Sequence, residues 1–278
     1  MKKTLLAIAC SMIALCSVHA QQLRTPQPSP TQTIRQDFGL ASVELSYSRP
    51  VMKGRKIYGD LVPFDKVWRT GANGATTLTF GDEVIIGSTK IPAGKYGLVT
   101  IPGKNNWIII ITKQLDVTSP AAYNQANDVV RVEAKPMAMK DPMESFTMQF
   151  ANVKPSSCDL HIMWENTAVS LPITTDVDSK VMTQITNLME QDNRPYFAAA
   201  MYYMDNNKDL AKAMTWFDKA IQQNASAFWV WHQRANCLAK LGKKAEAIES
   251  ANKSIALAKE AKNDDYVALN EKLLATLK

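Results

Sequence analysis

Tyr96-Gly97-Leu98-Val99-Thr100-Ile101-Pro102-Gly103-Lys104-Asn105-Asn106-Trp107-Ile108-Ile109-Ile110-Ile111 decides the reading of the first half of this chain. Two short runs rich in β-branched and aromatic residues flank a Pro-Gly-Lys-Asn-Asn turn, which is how consecutive strands are written. The second run is apolar at every position, as in a strand covered on both faces. Upstream, Val43-Glu44-Leu45-Ser46-Tyr47-Ser48 alternates apolar with polar, the period of a half-buried strand. Thr76-Thr77-Leu78-Thr79-Phe80 repeats that pattern, Gly81-Asp82 turns, and Glu83-Val84-Ile85-Ile86 returns. Further strands are expected at 129–134, 145–152, 158–165 and 168–174. Eight or nine short strands with no helical stretch between them predict an antiparallel β-sandwich over 37–175. Residues 21–36, with Pro26, Pro28 and Pro30 among Gln, Ser and Thr, read as a polar extended lead-in.

After Thr175 the period changes from two to that of a helix. Asp176-Val177-Asp178 is a helix start, and Val181, Ile185, Leu188 and Met189 fall on one face. A repeat of 34 residues follows: Ala213, Phe217 and Ala220 recur as Ala247, Ala251 and Ser254, and Phe197, Met201 and Met204 as Trp231, Ala235 and Leu238. Gly242 falls where the turn inside the second unit belongs, and 264–278 read as a capping helix. These residues resemble tetratricopeptide repeats. The fold class is therefore all-β plus all-α: a β-sandwich, then a short tetratricopeptide-like helical repeat domain over 176–278.

The start of the chain reads as an address. Met1-Lys2-Lys3 is followed by an apolar stretch over 4–18, and Val18-His19-Ala20 sets small residues at a cleavage site. Residues 1–20 are expected to be a signal peptide cleaved near Ala20, which places the mature chain in the periplasm or outside the cell. Setting them aside lowers the net charge from +6 to +4, too small a balance to predict nucleic-acid binding. No later stretch is apolar enough to span a membrane. Cys158 and Cys237 remain, in different domains, and are expected as buried free thiols.

The connection between the first two strands carries the strongest candidate surface. Arg49-Pro50-Val51-Met52-Lys53-Gly54-Arg55-Lys56 has four basic residues and no acid, and Lys66-Val67-Trp68-Arg69-Thr70-Gly71-Ala72-Asn73 adds aromatic and cationic side chains. Long loops on rigid β scaffolds carry binding residues, Arg forks suit carboxylate or phosphate, and aromatic faces suit sugars. Arg55, Trp68, Arg69 and Asn73 are the candidate residues for an anionic or glycan ligand. A structural alternative has Trp68 and Tyr58 plugging the core while Arg55 and Arg69 are held by backbone carbonyls or by Asp60 and Asp65.

Gly54-Arg55-x-Ile57-Tyr58-Gly59-x-Leu61-Val62-Pro63 and Val67-Trp68-Arg69-Thr70-Gly71-Ala72-Asn73-x-Ala75-Thr76 resemble the signature of an exported bacterial family, domain of unknown function 2911. Ile91-Pro92-Ala93-Gly94-x-Tyr96-x-Leu98, Ile101-Pro102, Trp107, Tyr123, Asp128, Val130-Arg131-Val132 and Trp164-Glu165 continue it over roughly 35–175. The resemblance implies no activity. It differs at Gly74, where members carry an acid, and in lacking a second Trp-Gly pair near 115–120.

No phosphate loop, dinucleotide fingerprint or nucleophile motif is present, so no cofactor is expected. His161 and Glu165 would stand about 13 Å apart on one strand, too far to share a metal, and His232 is remote from both, so no metal is expected. Asp60, Asp65, Asp128 and Glu165 are the acids that could serve an alternative reading, a hydrolase of envelope carbohydrate. In the helical half, Tyr202, Tyr203, Asn206, Trp229 and His232 could line a groove for a protein or peptide partner, or pack a domain seam. The expected function is thus an exported, non-enzymatic binding protein.

Overall fold

The structure is a computed structural model describing residues 25–189 and 194–277; the expected signal peptide lies outside the described residues. The chain divides into two compact units, the first ending at Asp176 and the second beginning at Val177.

Among the described residues, ten strands build the first unit: β1 (Thr31–Phe38), β2 (Ala41–Ser48), β3 (Thr77–Phe80), β4 (Val84–Ile86), β5 (Thr89–Ile91), β6 (Gly94–Ile101), β7 (Trp107–Thr112), β8 (Asp128–Ala134), β9 (Met137–Lys154) and β10 (Ser157–Thr174). They form two antiparallel sheets, ordered β1-β2-β3-β6-β7-β8 and β5-β4-β10-β9. The sheets close over one apolar core in which Leu45, Leu78, Leu98 and Ile109 meet Phe146, Leu160, Ile162 and Trp164. This is the expected sandwich. The outer face of β6 and β7 is covered as well, since Val99 and Ile110 pack with Val67, Val117 and Tyr123. That second cover is why 107–111 could be apolar throughout.

Two expectations are corrected. The lead-in ends early: residues 31–38 pair along their whole length with β2 as an edge strand. Its inward positions are Gln32, Ile34, Gln36 and Phe38, so only two of them carried an apolar signal. The strands expected at 158–165 and 168–174 are one continuous β10, because a register shift between Met163 and Thr167 bends the strand without ending it. Glu165 sits in that shift at φ 51°, a conformation rare for a residue with a side chain.

Among the described residues, six helices follow: α1 (Val177–Leu188), α2 (Tyr196–Asp205), α3 (Leu210–Gln223), α4 (Phe228–Lys240), α5 (Lys244–Glu260) and α6 (Asp264–Thr276). The small residues of the 34-residue repeat let the helices nest. Ala213, Phe217 and Ala220 on α3 and Ala247, Ala251 and Ser254 on α5 are all buried. α4 ends in a Schellman motif, with Gly242 at φ 74° donating to the Ala239 carbonyl and Lys243 to that of Leu238. α5 ends the same way, but Lys262 occupies the left-handed position at φ 54°. Lys262→Gly should therefore raise the stability of the helical unit by about 0.5–1 kcal/mol, read as a higher urea midpoint at unchanged slope. No change in the midpoint would mean that the left-handed geometry at Lys262 carries no strain.

Cys158 and Cys237 are both buried and free. Burial pushes the Cys158 thiol up to about 11, with Asp159 adding to the shift, and burial raises Cys237 too, so neither is poised as a thiolate.

Candidate functional site

The 49–76 connection is not a free loop; it bridges the two sheets. On one side Trp68 donates its amide to the Thr100 carbonyl at 2.7 Å and accepts from Thr100 N at 3.0 Å. On the other, Arg49 Nε donates to the Phe146 carbonyl at 3.1 Å, and Ile57 N donates to Glu165 Oε1 at 3.3 Å. The unusual backbone of Glu165 thus serves to aim its carboxylate at the connection. Trp68 is the keystone: its ring lies edge-on to Tyr58, Trp107 and Phe146 and stacks on Trp164 at 5.9 Å with 17° between planes. Tyr58 is buried, and its hydroxyl meets no partner among the described residues. Burial and the neighbouring Glu165 both push its phenol upward, which keeps it protonated.

A cleft of about 360 Å³ opens beside this cluster. Arg55, Trp68 and Arg69, three of the four expected residues, line it, together with apolar groups such as Leu61, Pro63 and Pro120. Asn73 does not line the cleft; its Nδ2 donates to the carbonyl of Ser29, which does. Both arginines are tethered to backbone, as the structural alternative required. Arg55 Nε and Nη2 donate to the carbonyls of Met52 at 2.8 Å and Val51 at 2.6 Å. Arg69 Nη1 donates to the Thr118 carbonyl, whereas its Nε is buried and meets no acceptor among the described residues.

The wall between Arg69 and Asn73 is strained and pinned. Thr70 and Asn73 are both left-handed at φ 56°. Thr70 is held by Thr76 Oγ1 donating to its carbonyl at 2.7 Å and by its own Oγ1 donating to Thr100 Oγ1 at 3.0 Å. Between them Gly71, at φ 153°, passes so close to β2 that an added Cβ would stand 3.1 Å from the Ser48 carbonyl. Strained residues of this kind persist only where the surroundings fix them, and they gather at functional sites.

None of the four candidate acids lines the cleft. Asp128 Oδ2 accepts from Tyr123 and Arg131 at 2.6 and 2.8 Å, and Glu165 is spent on Ile57. Asp60 and Asp65 are exposed along the connection. The converging carboxylates of the hydrolase alternative are not formed there. Trp164, which lines the cleft, falls within a strand expected at 158–165, but nothing in sequence spacing sets it against Trp68.

In the helical unit the five expected residues separate. Tyr203, 6% exposed, packs edge-on against Trp216 at 4.8 Å, and His232, 7% exposed, is bonded to Asn270 and Asn236. Both were expected to line a groove or to pack a domain seam; both are interior to the helical unit, because their helical positions face neighbouring helices. Asn206 and Trp229 stay at the surface, the latter 38% exposed, while Tyr202 is half-buried against the helical core. They do not form one patch: Tyr202 and Asn206 belong to the end of α2 and Trp229 to the start of α4.

A family model described as Protein of unknown function (DUF2911) matches residues 29–173, just over half the chain. The chain belongs to this family. Every residue lining the cleft falls within the DUF2911 match, so the cleft is a feature of the family domain of this chain. A tetratricopeptide repeat model matches residues 230–260, which cover nearly all of α4 and the whole of α5. No curated protein and no solved structure matches the chain. A domain of unknown function coupled to a tetratricopeptide repeat has the capacity for protein interaction. Among the described residues no helix is long and apolar enough to cross a membrane.

Proposed function

We propose that this chain is an exported, non-enzymatic binding protein with two contact surfaces. The helical repeats dock a protein or peptide partner, and the cleft beside the 49–76 connection receives a ligand. Export rests on the composition of residues 1–20. The observation that carries the docking role is the repeat match over 230–260 combined with Trp229, a large aromatic left exposed at the start of the matched hairpin. Exposed Trp residues concentrate binding energy when a partner covers them.

A photo-crosslinking residue at exposed Ala225, beside Trp229, in the protein expressed with its leader, should yield a discrete adduct with a partner. Trp229→Ala should lower that yield about tenfold, since losing a Trp anchor removes more than 1.4 kcal/mol. The same crosslinker at exposed Lys140 in the β unit is the control. Equal labelling at Ala225 and Lys140, insensitive to Trp229, would end the docking reading.

A further inference from the structure

The cleft's chemistry is selective, and an inference that rests on its reading as a ligand site follows. We propose that it takes a small amphipathic anion, a single carboxylate or phosphate head on an apolar body, and not a glycan.

The lining side chains supply donors and almost no acceptors. The charged ones are Arg55 and Arg69; there is no Asp, Glu, Asn, Gln or His among the lining residues. The indole N–H of Trp164 is already given to the Glu144 carbonyl. Several of the lining carbonyls are engaged as well: those of Ser29, Pro50, Val62 and Trp68 accept from Asn73, Phe146, Gly59 and Thr100. A sugar hydroxyl donates as well as accepts, so a glycan would leave donors unmatched in such a site. A carboxylate or phosphate only accepts, and it matches two guanidinium groups with no competing acid.

The aromatic faces point the same way. Glycan stacking needs an open ring face, yet Trp68 is ringed by Tyr58, Trp107, Phe146 and Trp164, and Trp164 is buried. Apart from the uncovered part of half-buried Trp68, the apolar surface offered to a ligand is aliphatic: Leu61, Pro63, Val67, Ala72 and Pro120. Arg69 lines the cleft and, with Nη1 given to the Thr118 carbonyl, keeps Nη2 as a guanidinium donor for such an anion. The strained wall at Thr70 and Asn73 holds the arginine-bearing segment in place before any ligand arrives, which lowers the ordering cost of binding.

The test is calorimetric titration of the full mature chain with octanoate, octyl phosphate, 1-octanol and the trimer of N-acetylglucosamine. One or both anions should bind about tenfold or more tightly than octanol, the comparison of heads showing whether carboxylate or phosphate is preferred. Arg69→Gln should weaken the anion about tenfold or more. Ala72→Leu, which keeps both arginines and fills the cleft, should weaken it too; thermal melts confirm that both variants are folded. Binding of octanol equal to the anions, or anion binding indifferent to both variants, overturns the proposal. Binding of the sugar trimer with both anions silent also overturns it, but leaves the cleft as a ligand site. Silence from all four probes removes the anion proposal and the cleft reading together.

Discussion

Trp68→Ala should destabilise the β unit by about 3 kcal/mol, measured as a fall in the urea midpoint followed by tryptophan fluorescence. Trp68 is only half-buried, so area alone would suggest a smaller effect. The larger figure comes from where the ring sits. It touches four other aromatic rings, from the 49–76 connection, β7, β9 and β10, and its removal leaves Trp107 and Trp164 facing a void. Edge-to-face and stacked pairs add about 0.5–1.5 kcal/mol each beyond burial. Trp68→Phe, which keeps a ring, should recover part of the loss. A change below about 0.5 kcal/mol for the alanine variant, the range of ordinary surface substitutions, would mean the connection merely rests on the core.

Asn270→Ala is the second large effect, expected to cost the helical unit about 2–4 kcal/mol. Asn270 is fully buried on α6 and serves three neighbours. Its Oδ1 accepts from His232 Nδ1 at 2.9 Å, and its Nδ2 donates to Ser254 Oγ at 2.8 Å and to the Tyr266 carbonyl at 2.7 Å. Ser254 Oγ passes the chain on to the Phe228 carbonyl at 2.7 Å, and His232 Nε2 accepts from Asn236 at 3.0 Å. With His232 a donor at Nδ1 and an acceptor at Nε2, the neutral imidazole satisfies both partners. Truncating Asn270 strands the Nδ1 proton in the interior. A double-mutant cycle with His232→Phe should show coupling above about 1 kcal/mol, because the aromatic ring no longer needs the amide. Additive losses would show that the two side chains act independently.

These two residues also mark the limit of what the sequence discloses. Alternation in 43–48 and the unbroken apolar run at 107–111 were enough to place strands, since burial on one face or two writes directly into local pattern. The 34-residue spacing was likewise enough for the nested helices, because close approach demands Ala and Ser at fixed intervals. β1 escaped because an edge strand half-buries Gln32 and Gln36 as readily as apolar side chains. β9 and β10 were shortened because the register shift at Glu165 interrupts alternation without ending pairing.

The cleft was half legible. Arg55, Trp68 and Arg69 stood out by residue type on a long connection, and all three line it. That backbone carbonyls could hold the arginines was an open alternative, but which ones did not show, because the carbonyls of Val51, Met52 and Thr118 carry no sequence signature. Tyr203 and His232 were misjudged for a related reason. An aromatic or a histidine on a helix looks the same in sequence whether its face meets solvent or a neighbouring helix. For His232 the deciding partner, Asn270, lies on another helix altogether.

The 49–76 connection is a rigid, bonded wall between the sheets and not a mobile loop. Native-state hydrogen exchange tests it directly at Val62, Asp65 and Trp68, whose amides donate to the carbonyls of Ile57 at 2.9 Å, Pro102 at 2.8 Å and Thr100 at 2.7 Å. Protection at these three amides comparable to that of the β6 and β7 amides is the predicted result. Exchange at the rate of an unstructured chain would contradict it, and with it the preformed cleft.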